Sequence, residues 1–346
     1  MKTEKQKVLV TGANGFIGSH MTTALYNKGY FVTGLSRKGL GKNEEYNKLV
    51  NENRIETIKG DISTFDFNTL EHFDYIIHIA GKVSAYGKME DFLKINYEAT
   101  RNLLESLLSK KPKCFVYFSS TAVYGYNGYE NLKEDAEKKP FKNPYSLTKL
   151  KTEEFVKEFC TKNNIDFVII RPGNVFGEYD YTSSHEIFTR VKKEKMLVSA
   201  GGKYKSCFVY VKNLVDATIT AMENEKAHNT DYNVTDGKNE TLKEYLTMVA
   251  EEFKVRPKFT NFPAFLAKTV AVIVEGTYYL FRIKKAPLIT KFSVWQNCAN
   301  YSFDISKIKS IGYEPKFDMQ EGIKRTCDWI NKLEEEKVND NKRRNK

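Results

Sequence analysis

The residues with the clearest potential for chemistry are a tyrosine and a lysine, Tyr145 and Lys149, four positions apart. That spacing puts both side chains on one face of a helix, which Asn143 and Pro144 are well suited to begin. A free phenol titrates near ~10, but a neighbouring ammonium group favours the phenolate. The pair therefore predicts a tyrosine that exchanges a proton with an alcohol or ketone oxygen, supported by the lysine charge.

A second signal lies near the amino terminus, where three glycines follow the apolar run at 7–11. Gly12 allows a tight turn, Gly15 lets the backbone approach a pyrophosphate, and Gly18 permits close packing of a helix on the strand. Unpaired N–H groups and the dipole at the start of that helix attract anions. The segment predicts a dinucleotide-binding turn with contacts from Gly12, Asn14, Gly15, Phe16, Ile17 and Gly18.

The end of the second predicted strand bears on the choice of cofactor. Enzymes that use NAD usually carry an acidic residue there, which holds the ribose 2′-hydroxyl, whereas a basic residue accommodates a 2′-phosphate. This chain has Ser36, Arg37 and Lys38 and no acid. A guanidinium can hold a phosphate through two hydrogen bonds, so these residues predict NADP(H). The alternative is an NAD(H) enzyme in which Arg37 stacks on the adenine ring.

The elements that must position these residues alternate along the first half of the chain. Nearly continuous apolar runs, typical of parallel strands covered on both faces, lie at 7–11, 30–36, 54–59, 74–80, 114–119 and 165–171. Amphipathic segments, including 90–109 and 146–163, lie between them. The alternation predicts an α/β fold, a Rossmann doubly wound parallel sheet with a smaller carboxyl-terminal α/β substrate lobe. We assign 1–172 to the dinucleotide-binding domain (its core continuing near 205–235), 173–333 mainly to the substrate lobe, and 334–346 to a disordered basic tail.

Composition narrows the class of function. The chain of 346 residues is 41% hydrophobic, and its net charge of +11 is spread along the sequence. No nucleic-acid motif accompanies the charge, so we predict no nucleic-acid partner. Five cysteines without a CxxC pair indicate reduced thiols in a cytoplasmic protein. The five histidines lack the spacing of metal ligands, and we predict no metal site.

The glycine spacing GxxGxxG resembles that of the extended short-chain dehydrogenase/reductase family, the NAD-dependent epimerases and dehydratases. Gly60-Asp61-Ile62 looks like the adenine-contacting segment of that family, and His78-Ile79-Ala80-Gly81 like its turn under the cofactor. Asn96 matches a helix asparagine, and residues 171–177 are similar to the segment that passes the nicotinamide amide. The resemblance implies further cofactor contacts from Asp61, Ile62, Ala80, Gly81, Asn96, Tyr145, Lys149, Pro172 and Asn174.

The same resemblance implies catalytic roles. The segments around Ser120 and from Tyr145 to Lys149 match the catalytic pieces of the family, with Ser120 four residues before Tyr124 and Thr121 as the alternate hydroxyl. A hydroxyl at a strand end can orient the substrate oxygen and stabilise its developing charge. The implied catalytic set is Ser120, Tyr145 and Lys149. Candidate substrate contacts are Val83, Thr121, Asn174 and His185, with a surface histidine at a helix start as the alternative for His185.

The carboxyl-terminal half indicates a branch of the family. Segments at 207–217 and 232–237 look like elements of 3β-hydroxysteroid and sterol dehydrogenases, and so do 287–290 and 301–304. Nucleotide-sugar enzymes usually carry an arginine shortly before residue 208, where this chain has only Lys203 and Lys205. The resemblance therefore implies an NADP(H)-linked dehydrogenase or ketoreductase acting on a hydrophobic substrate, steroid-like or a 3-oxo lipid. The alternatives are a nucleotide-sugar 4-epimerase or 4,6-dehydratase with tightly bound NAD, and a non-catalytic dinucleotide sensor.

An apolar stretch at 262–285 completes the sequence signals. Its charges at Lys268, Glu275 and Arg282 are seven apart, so a helix would carry them on one stripe. A central carboxylate argues against a membrane span. We predict that the segment walls the substrate pocket and makes peripheral contact with a membrane, with Lys284 and Lys285 near anionic headgroups; the alternative is a helix packed on the lobe. By analogy with the family, we expect a homodimer through 90–109 and 146–163.

Overall fold

Strands and helices alternate along the computed structural model, which describes residues 5–344. The strands are β1 Lys7–Thr11, β2 Phe31–Ser36, β3 Glu56–Lys59, β4 Tyr75–His78, β5 Cys114–Phe118, β6 Tyr129–Leu132, β7 Phe167–Pro172, β8 Asn174–Phe176, β9 Met196–Ser199, β10 Phe208–Tyr210, β11 Thr230–Val234, β12 Phe259–Phe262 and β13 Tyr301–Phe303. The α-helices are α1 Phe16–Asn27, α2 Glu44–Asn51, α3 Met89–Phe92, α4 Ala99–Ser106, α5 Pro144–Asn163, α6 Ser184–Lys192, α7 Val211–Glu223, α8 Leu242–Glu252, α9 Ala264–Leu280, α10 Lys291–Gln296, α11 Ser306–Lys309 and α12 Met319–Arg344. A π-helical segment, Leu93–Glu98, joins α3 to α4.

Seven strands form one parallel sheet in the order β11-β7-β5-β4-β1-β2-β3. The chain order reverses at β1, which lies between β2 and β4. At such a reversal the carboxyl ends of the strands open a crevice in which ligands bind. The predicted fold class is confirmed, and the crevice lies at the end of the strand that carries the glycine turn.

The core explains why the strands have continuous apolar runs. Val8, Leu9 and Val10 of β1 are all fully buried. Val8 and Val10 pack in the cluster on one face of the sheet, and Leu9 packs in the cluster on the other. Each such side chain contributes about 1.5–3 kcal/mol when it is fully buried. A sheet covered on both faces thereby fixes where its strands end and holds the crevice rigid.

The carboxyl-terminal lobe is built from two-stranded parallel pairs, β8 with β10, β9 with β12 and β6 with β13. A third apolar cluster joins α6, α8 and α12, and a small one lies between α9 and α10. The chain returns to the main sheet with β11, which pairs with β7. The lobe therefore packs over the same strand ends that form the crevice.

The predicted disordered tail is wrong for the part of it that the structure describes, because α12 continues to Arg344. Lys192 on α6 lies 2.5 Å from the Glu334 carboxylate and ties this part of α12 to the lobe. Glutamate and lysine are also good helix formers, which favours extension of a helix that is already packed. Residues 345–346 lie outside the described residues.

Candidate active site

A cavity of about 980 Å³ occupies the crevice and extends into the carboxyl-terminal lobe. We divide its lining into two parts. The cofactor half comprises the lining residues between Gly12 and Ser120 except Val83, together with Tyr145, Lys149 and Pro172. The substrate half comprises Val83, Thr121, Ala122, Tyr126 and the lining residues between Gly173 and Asn297. One continuous space therefore joins the glycine turn to the lobe.

The glycine turn forms one end of the cofactor half. Gly12 has a φ of +71°, a left-handed conformation that favours glycine, and a Cβ there would lie 3.1 Å from the Ala80 backbone. A Cβ on Gly18 would lie 2.1 Å from the Gly12 carbonyl oxygen, which no side chain can occupy without a shift of the backbone. Gly15 directly precedes α1. The turn leaves the helix N-terminus open toward the cavity, a suitable place for a phosphate.

A buried histidine fixes this turn against the neighbouring strand. His78 at the end of β4 bonds the Thr11 hydroxyl through Nδ1 (2.8 Å) and the Thr100 hydroxyl through Nε2 (2.9 Å). The Ala80 N–H donates to the same Thr11 hydroxyl (3.2 Å). Burial lowers the pKa of His78 to about 3, so the ring is neutral at physiological pH. The family-like His78 is therefore a positioning residue, while Ala80 and Gly81 line the cavity.

At the other end of the cofactor half, the predicted adenine contacts separate into two groups. Ser36, Arg37, Asp61 and Ile62 line the cavity, and Arg37 is exposed. Hydrogen bonds from the Ser63 backbone and hydroxyl lower the pKa of the Asp61 carboxyl. The contact predicted for Lys38 stays a prediction, since its side chain is exposed next to Arg37 and is not among the residues that line the cavity. Its carbonyl instead accepts hydrogen bonds from Asn14 and Ser36 and shapes the loop.

Asn96 also lies outside the cavity lining, and its predicted direct contact with the cofactor stays a prediction. It is buried in the π-helical segment. Its carboxamide accepts from the Lys82 N–H (2.7 Å) and donates to the Thr148 hydroxyl (3.2 Å). A Cβ on Gly81 would lie 3.1 Å from the Asn96 side-chain oxygen. Asn96 therefore holds the loop after β4 against α5, and local widening of the helix at a functional site is a common use of a π-bulge.

The structure brings the predicted catalytic set together between β5 and α5. Asn143 caps the start of α5 by accepting from the Ser146 N–H (3.0 Å), and this end of the helix carries Tyr145 and Lys149 into the cavity. The Lys149 ammonium donates to the Phe118 carbonyl at the end of β5 (2.7 Å). Ser120 follows two residues later and also lines the cavity.

Burial changes the acidity of both α5 groups. It lowers the pKa of Lys149 to about 8, because the charged form is poorly solvated there. It raises the pKa of Tyr145, and a hydrogen bond with Ser120 partly offsets that rise. Tyr145 is therefore a phenol at neutral pH and can donate a proton, whereas Lys149 remains mostly charged. This arrangement can transfer a proton to or from an oxygen placed between Tyr145 and Ser120.

An ion-pair network that the sequence did not suggest lies behind the catalytic set. The buried Arg171 donates to both carboxylate oxygens of Glu153 (3.0 and 2.6 Å) and lies 2.5 Å from Asp231. Glu153 on α5 also accepts from the Ser119 hydroxyl (2.8 Å). The network thus links α5, β7 and the residue before Ser120. Glu153 lies three and seven residues before Val156 and Cys160, on the buried side of α5, and this helical spacing was the available signal. Its partner could not be chosen from the sequence.

The predicted substrate contacts have different outcomes. Val83 lies on the rim of the cavity with 74% of its surface exposed, and Thr121 lines the cavity while donating to the Pro172 carbonyl (3.2 Å). Asn174 lines the cavity as well. His185 does not: its ring stacks on Tyr181, and the alternative interpretation as a histidine at a helix start is the correct one.

Most of the substrate half comes from residues that sequence reasoning missed. They lie on the strands β8, β9 and β10, on the helices α6, α8 and α10, and in the loops beside them, and the most apolar are Ile187, Met196, Phe208, Leu242, Tyr245 and Phe292. The prediction that 262–282 walls the pocket is wrong, because α9 packs behind α10, and α10 supplies Phe292, Ser293 and Gln296. Thr290, which caps α10 in a capping box with Ser293, was a usable sequence signal for that helix.

Comparison with known proteins agrees with this geometry. The model of the NAD dependent epimerase/dehydratase family matches residues 8–235. The uncharacterized protein YbjS of Escherichia coli is 25% identical over 94% of this chain and 97% of its own length. The 3beta-hydroxysteroid-dehydrogenase/decarboxylase isoform 1 of Arabidopsis thaliana is 26% identical over 94% of this chain and 80% of its own length. The UDP-glucuronic acid 4-epimerase of Bacillus cereus, solved in complex with NAD, shares the fold with a TM-score of 0.76 at 22% identity, covering 95% of this chain and 99% of that one.

Proposed function

The chain belongs to the NAD-dependent epimerase/dehydratase family, whose members use NAD(P) to act on CH–OH groups, and from that premise we propose that it is an NADP(H)-linked dehydrogenase or ketoreductase. The proposed substrate carries a secondary alcohol or ketone on an uncharged hydrophobic body, as in a 3β-hydroxysteroid or a 3-oxo lipid. One observation carries the proposal: among the described residues, no lysine or arginine lines the substrate half of the cavity.

The distribution of charge supports a lipid over a nucleotide sugar as the substrate. A diphosphate removed from water needs cationic or N–H partners, and without them its burial costs several kcal/mol. Lys205, which could replace the missing arginine, instead lies 2.5 Å from the Glu130 carboxylate. Lys203 lies over the Tyr204 ring, 5.4 Å from its centroid. Neither lysine lines the cavity, and this favours an uncharged substrate.

Two amides of the substrate half, those of Gln296 and Asn174, support the same proposal, because both already have hydrogen-bond partners. The Gln296 amide donates to the Asn174 side-chain oxygen (2.8 Å), and the Asn174 amide donates to the Tyr301 hydroxyl (2.7 Å). Phe208 and Tyr245 stack face to face, with ring centroids 4.0 Å apart, and add an apolar wall. A hydrophobic ligand gains from such a surface without leaving buried polar groups unpaired. The Arabidopsis relative, named as a 3beta-hydroxysteroid dehydrogenase, supports this assignment.

The residues of the cofactor half fit a dinucleotide. Side chains at Gly12 and Gly18 would fill the space that the turn needs, and the start of α1 offers N–H groups to a phosphate. Arg37 takes part in none of the ion pairs found among residues 5–344, and it is exposed at the end of β2. A free guanidinium at this point supports a 2′-phosphate, and hence NADP(H) over NAD(H).

The proposed mechanism uses the catalytic set as follows. When bound, the reduced dinucleotide supplies the hydride that converts a ketone carbon to a carbinol carbon. Tyr145 donates its phenolic proton to the ketone oxygen, and Ser120 donates a hydrogen bond that stabilises the charge developing there. Lys149, held by the Phe118 carbonyl, stabilises the phenolate that remains. In the oxidative direction Tyr145 accepts the alcohol proton.

The test is a substrate panel with NADPH and NADH that includes 3-ketosteroids, 3-oxo lipids, and UDP- and dTDP-sugars. We expect net oxidation of NADPH with a lipid ketone and formation of the corresponding alcohol. An epimerase returns its cofactor to the starting state, so product analysis by mass spectrometry and NMR is needed beside the absorbance of NAD(P)H. Conversion of a nucleotide sugar without net NAD(P)H consumption, together with inert lipid ketones, would overturn the proposal.

A further inference from the structure

The helix α9 carries an uncharged apolar face that the protein does not cover. Nine of the seventeen large hydrophobic side chains that are exposed among the described residues lie between 264 and 288. Ile273, Leu280 and Phe281 have exposed fractions of 62%, 76% and 70%. So dense a cluster on one short segment differs from the single apolar residues scattered over most protein surfaces.

The exposed positions follow the helical repeat. Phe265, Thr269, Val272, Ile273 and Leu280 are spaced four, three, one and seven residues apart, which places them on one side of a helix. The opposite side, with Ala267 and Ala271, packs in the small cluster against α10. The face therefore runs along α9, which is about 25 Å long by the rise of 1.5 Å per residue.

Two of the three charges expected on this helix, Glu275 and Lys268, face α10. The Glu275 carboxylate is buried, accepts from the Lys291 N–H at the start of α10 (2.8 Å) and lies 3.3 Å from the Lys291 ammonium. Lys268 lies over the ring of Trp295 on α10, 5.3 Å from its centroid. Two charges of the stripe that the sequence predicts, Lys268 and Glu275, thus lie at the contact with α10, whereas Arg282 follows the end of α9. The outer face of α9 is left without charge.

A basic rim lies at the end of this face. Arg282, Lys284 and Lys285 are all exposed and directly follow α9. Within the part of the chain that the structure describes, no carboxylate lies within ion-pair distance of these three side chains. An uncharged apolar face beside unpaired cations is complementary to a membrane surface that carries anionic headgroups, rather than to a neutral protein surface.

We propose that α9 and the residues after it form a docking surface for anionic lipid membranes, with the apolar face in the headgroup boundary and the basic rim on the lipid phosphates. The helix lies on the bilayer; every helix within residues 5–344 is too short or too polar to span one. The surface adjoins the cavity, because Tyr86, on the loop that carries Val83 at the rim, packs on Tyr279 and donates to the Ile283 carbonyl (3.1 Å). If the proposed function holds, a lipid substrate reaches the cavity without crossing water.

The experiment is flotation of the full-length protein with vesicles of phosphatidylcholine, alone or with phosphatidylserine, at low and high salt. We expect flotation with the phosphatidylserine vesicles that decreases at high salt. Lys284→Ala and Lys285→Ala should each weaken binding about fivefold, since a basic residue near an anionic surface contributes about 1 kcal/mol. The double variant Val272→Asp/Ile273→Asp should abolish flotation, whereas Val338→Asp, an exposed apolar position on α12, should float like the original protein.

Protein that stays at the bottom of the gradient with phosphatidylserine vesicles overturns the proposal. If Val272→Asp/Ile273→Asp then lowers the mass measured by sedimentation, the face joins two copies of the chain instead. The lysine variants change only exposed side chains, so they remain informative if the aspartate variant unfolds. Flotation needs no substrate and no turnover; therefore its failure and the failure of the proposed ketone reduction are separate results.

Discussion

The two halves of the cavity are built from different kinds of group. The cofactor half is made of backbone turns and of three cationic side chains, Arg37, Lys82 and Lys149. The substrate half has apolar side chains, hydroxyls and amides, such as Gln296 bonded to Asn174, together with the Asp180 carboxylate, which accepts from the Ser184 N–H and hydroxyl. Under the proposed function, the difference means that the dinucleotide is held by a fixed backbone turn and cationic groups, whereas the substrate is selected by shape and by the absence of lysine and arginine from the lining among the described residues.

The largest expected effect is on turnover, and it separates catalysis from cofactor binding. Tyr145→Phe removes the proton donor but none of the glycine turn, so turnover should fall by roughly 10²–10⁴ while NADPH affinity stays within a few-fold. Steady-state kinetics and fluorescence titration of NADPH measure the two quantities. Tyr97→Phe, outside the cavity lining, is the matched control. Near-normal turnover of Tyr145→Phe would remove Tyr145 from the mechanism.

Arg37 tests whether charge in the cofactor half selects the cofactor. Arg37→Ala should weaken NADPH roughly 10- to 150-fold, since a charge-assisted bond contributes about 1.5–3 kcal/mol, and should leave NADH almost unchanged. The comparison is with Lys38→Ala, because the Lys38 side chain lies outside the lining. Equal weakening of both cofactors would show that Arg37 does not contact a 2′-phosphate.

Gly18→Ala tests the geometry of the same half without a change of charge. Its Cβ would lie 2.1 Å from the Gly12 carbonyl oxygen, so the turn must shift. Overpacking of this kind costs about 1–3 kcal/mol, and we expect losses in both NADPH affinity and thermal stability. Gly276→Ala, where a Cβ meets nothing within 4 Å, should be neutral or stabilising. Unchanged cofactor affinity in Gly18→Ala would contradict the role of the turn.

A cation added to the substrate half should weaken substrate binding and leave cofactor binding unchanged. Leu242→Arg is expected to raise the KM of a lipid ketone by roughly tenfold, because an unpaired charge is costly in an apolar site. NADPH affinity should not change. Leu197→Arg, at an exposed position outside the lining, serves as the control. If the two variants behave alike, Leu242 does not meet the substrate.

The smallest effect concerns pH. Burial lowers the pKa of Lys149 to about 8 and raises that of Tyr145, so at neutral pH both groups are protonated, as ketone reduction requires. As the pH rises through about 8, Lys149 loses its charge first, and kcat/KM for reduction should fall. The affinity for NADPH should also fall as the pH rises through this value, because Lys149 is also a proposed cofactor contact. A profile that stays flat well above that pH would rule out Lys149 as the titrating group.

The cofactor half was predictable because its turn and its catalytic helix each depend on residues that are close together in the sequence. The turn needs Gly12, Gly15 and Gly18 at short spacing after a buried strand, and the predicted run at 7–11 coincides with β1. Tyr145 and Lys149 lie one helical turn apart, and that helix starts at Pro144 as expected. In each case a few residues that are close together in the sequence meet the geometric requirement, so the turn and the helix can be predicted from the sequence alone.

The predicted site residues that do not line the cavity are those whose side-chain direction the sequence does not fix. Asn96 belongs to a segment beside the cavity, yet its side chain bonds the Lys82 backbone and the Thr148 hydroxyl. Lys38 shapes its loop through its carbonyl, which accepts from Asn14 and Ser36, while its exposed side chain does not line the cavity. His185 stacks on Tyr181, four residues before it, and contacts Trp329 of α12, which is distant in the sequence. The spacing of residues in the sequence indicates which residues lie near a site, but not which of their side chains line it.

By itself, therefore, the sequence determined the parallel sheet, the glycine turn and the catalytic helix, since periodicity and short spacing are properties of the chain order. Tertiary structure decided the rest. Packing joined α8 and α10 into one wall of the substrate half, although they lie some fifty residues apart in the sequence. It also turned Glu275 inward against α10 and left the apolar side of α9 exposed, because a buried carboxylate needs the N–H and ammonium partners that only another helix could supply.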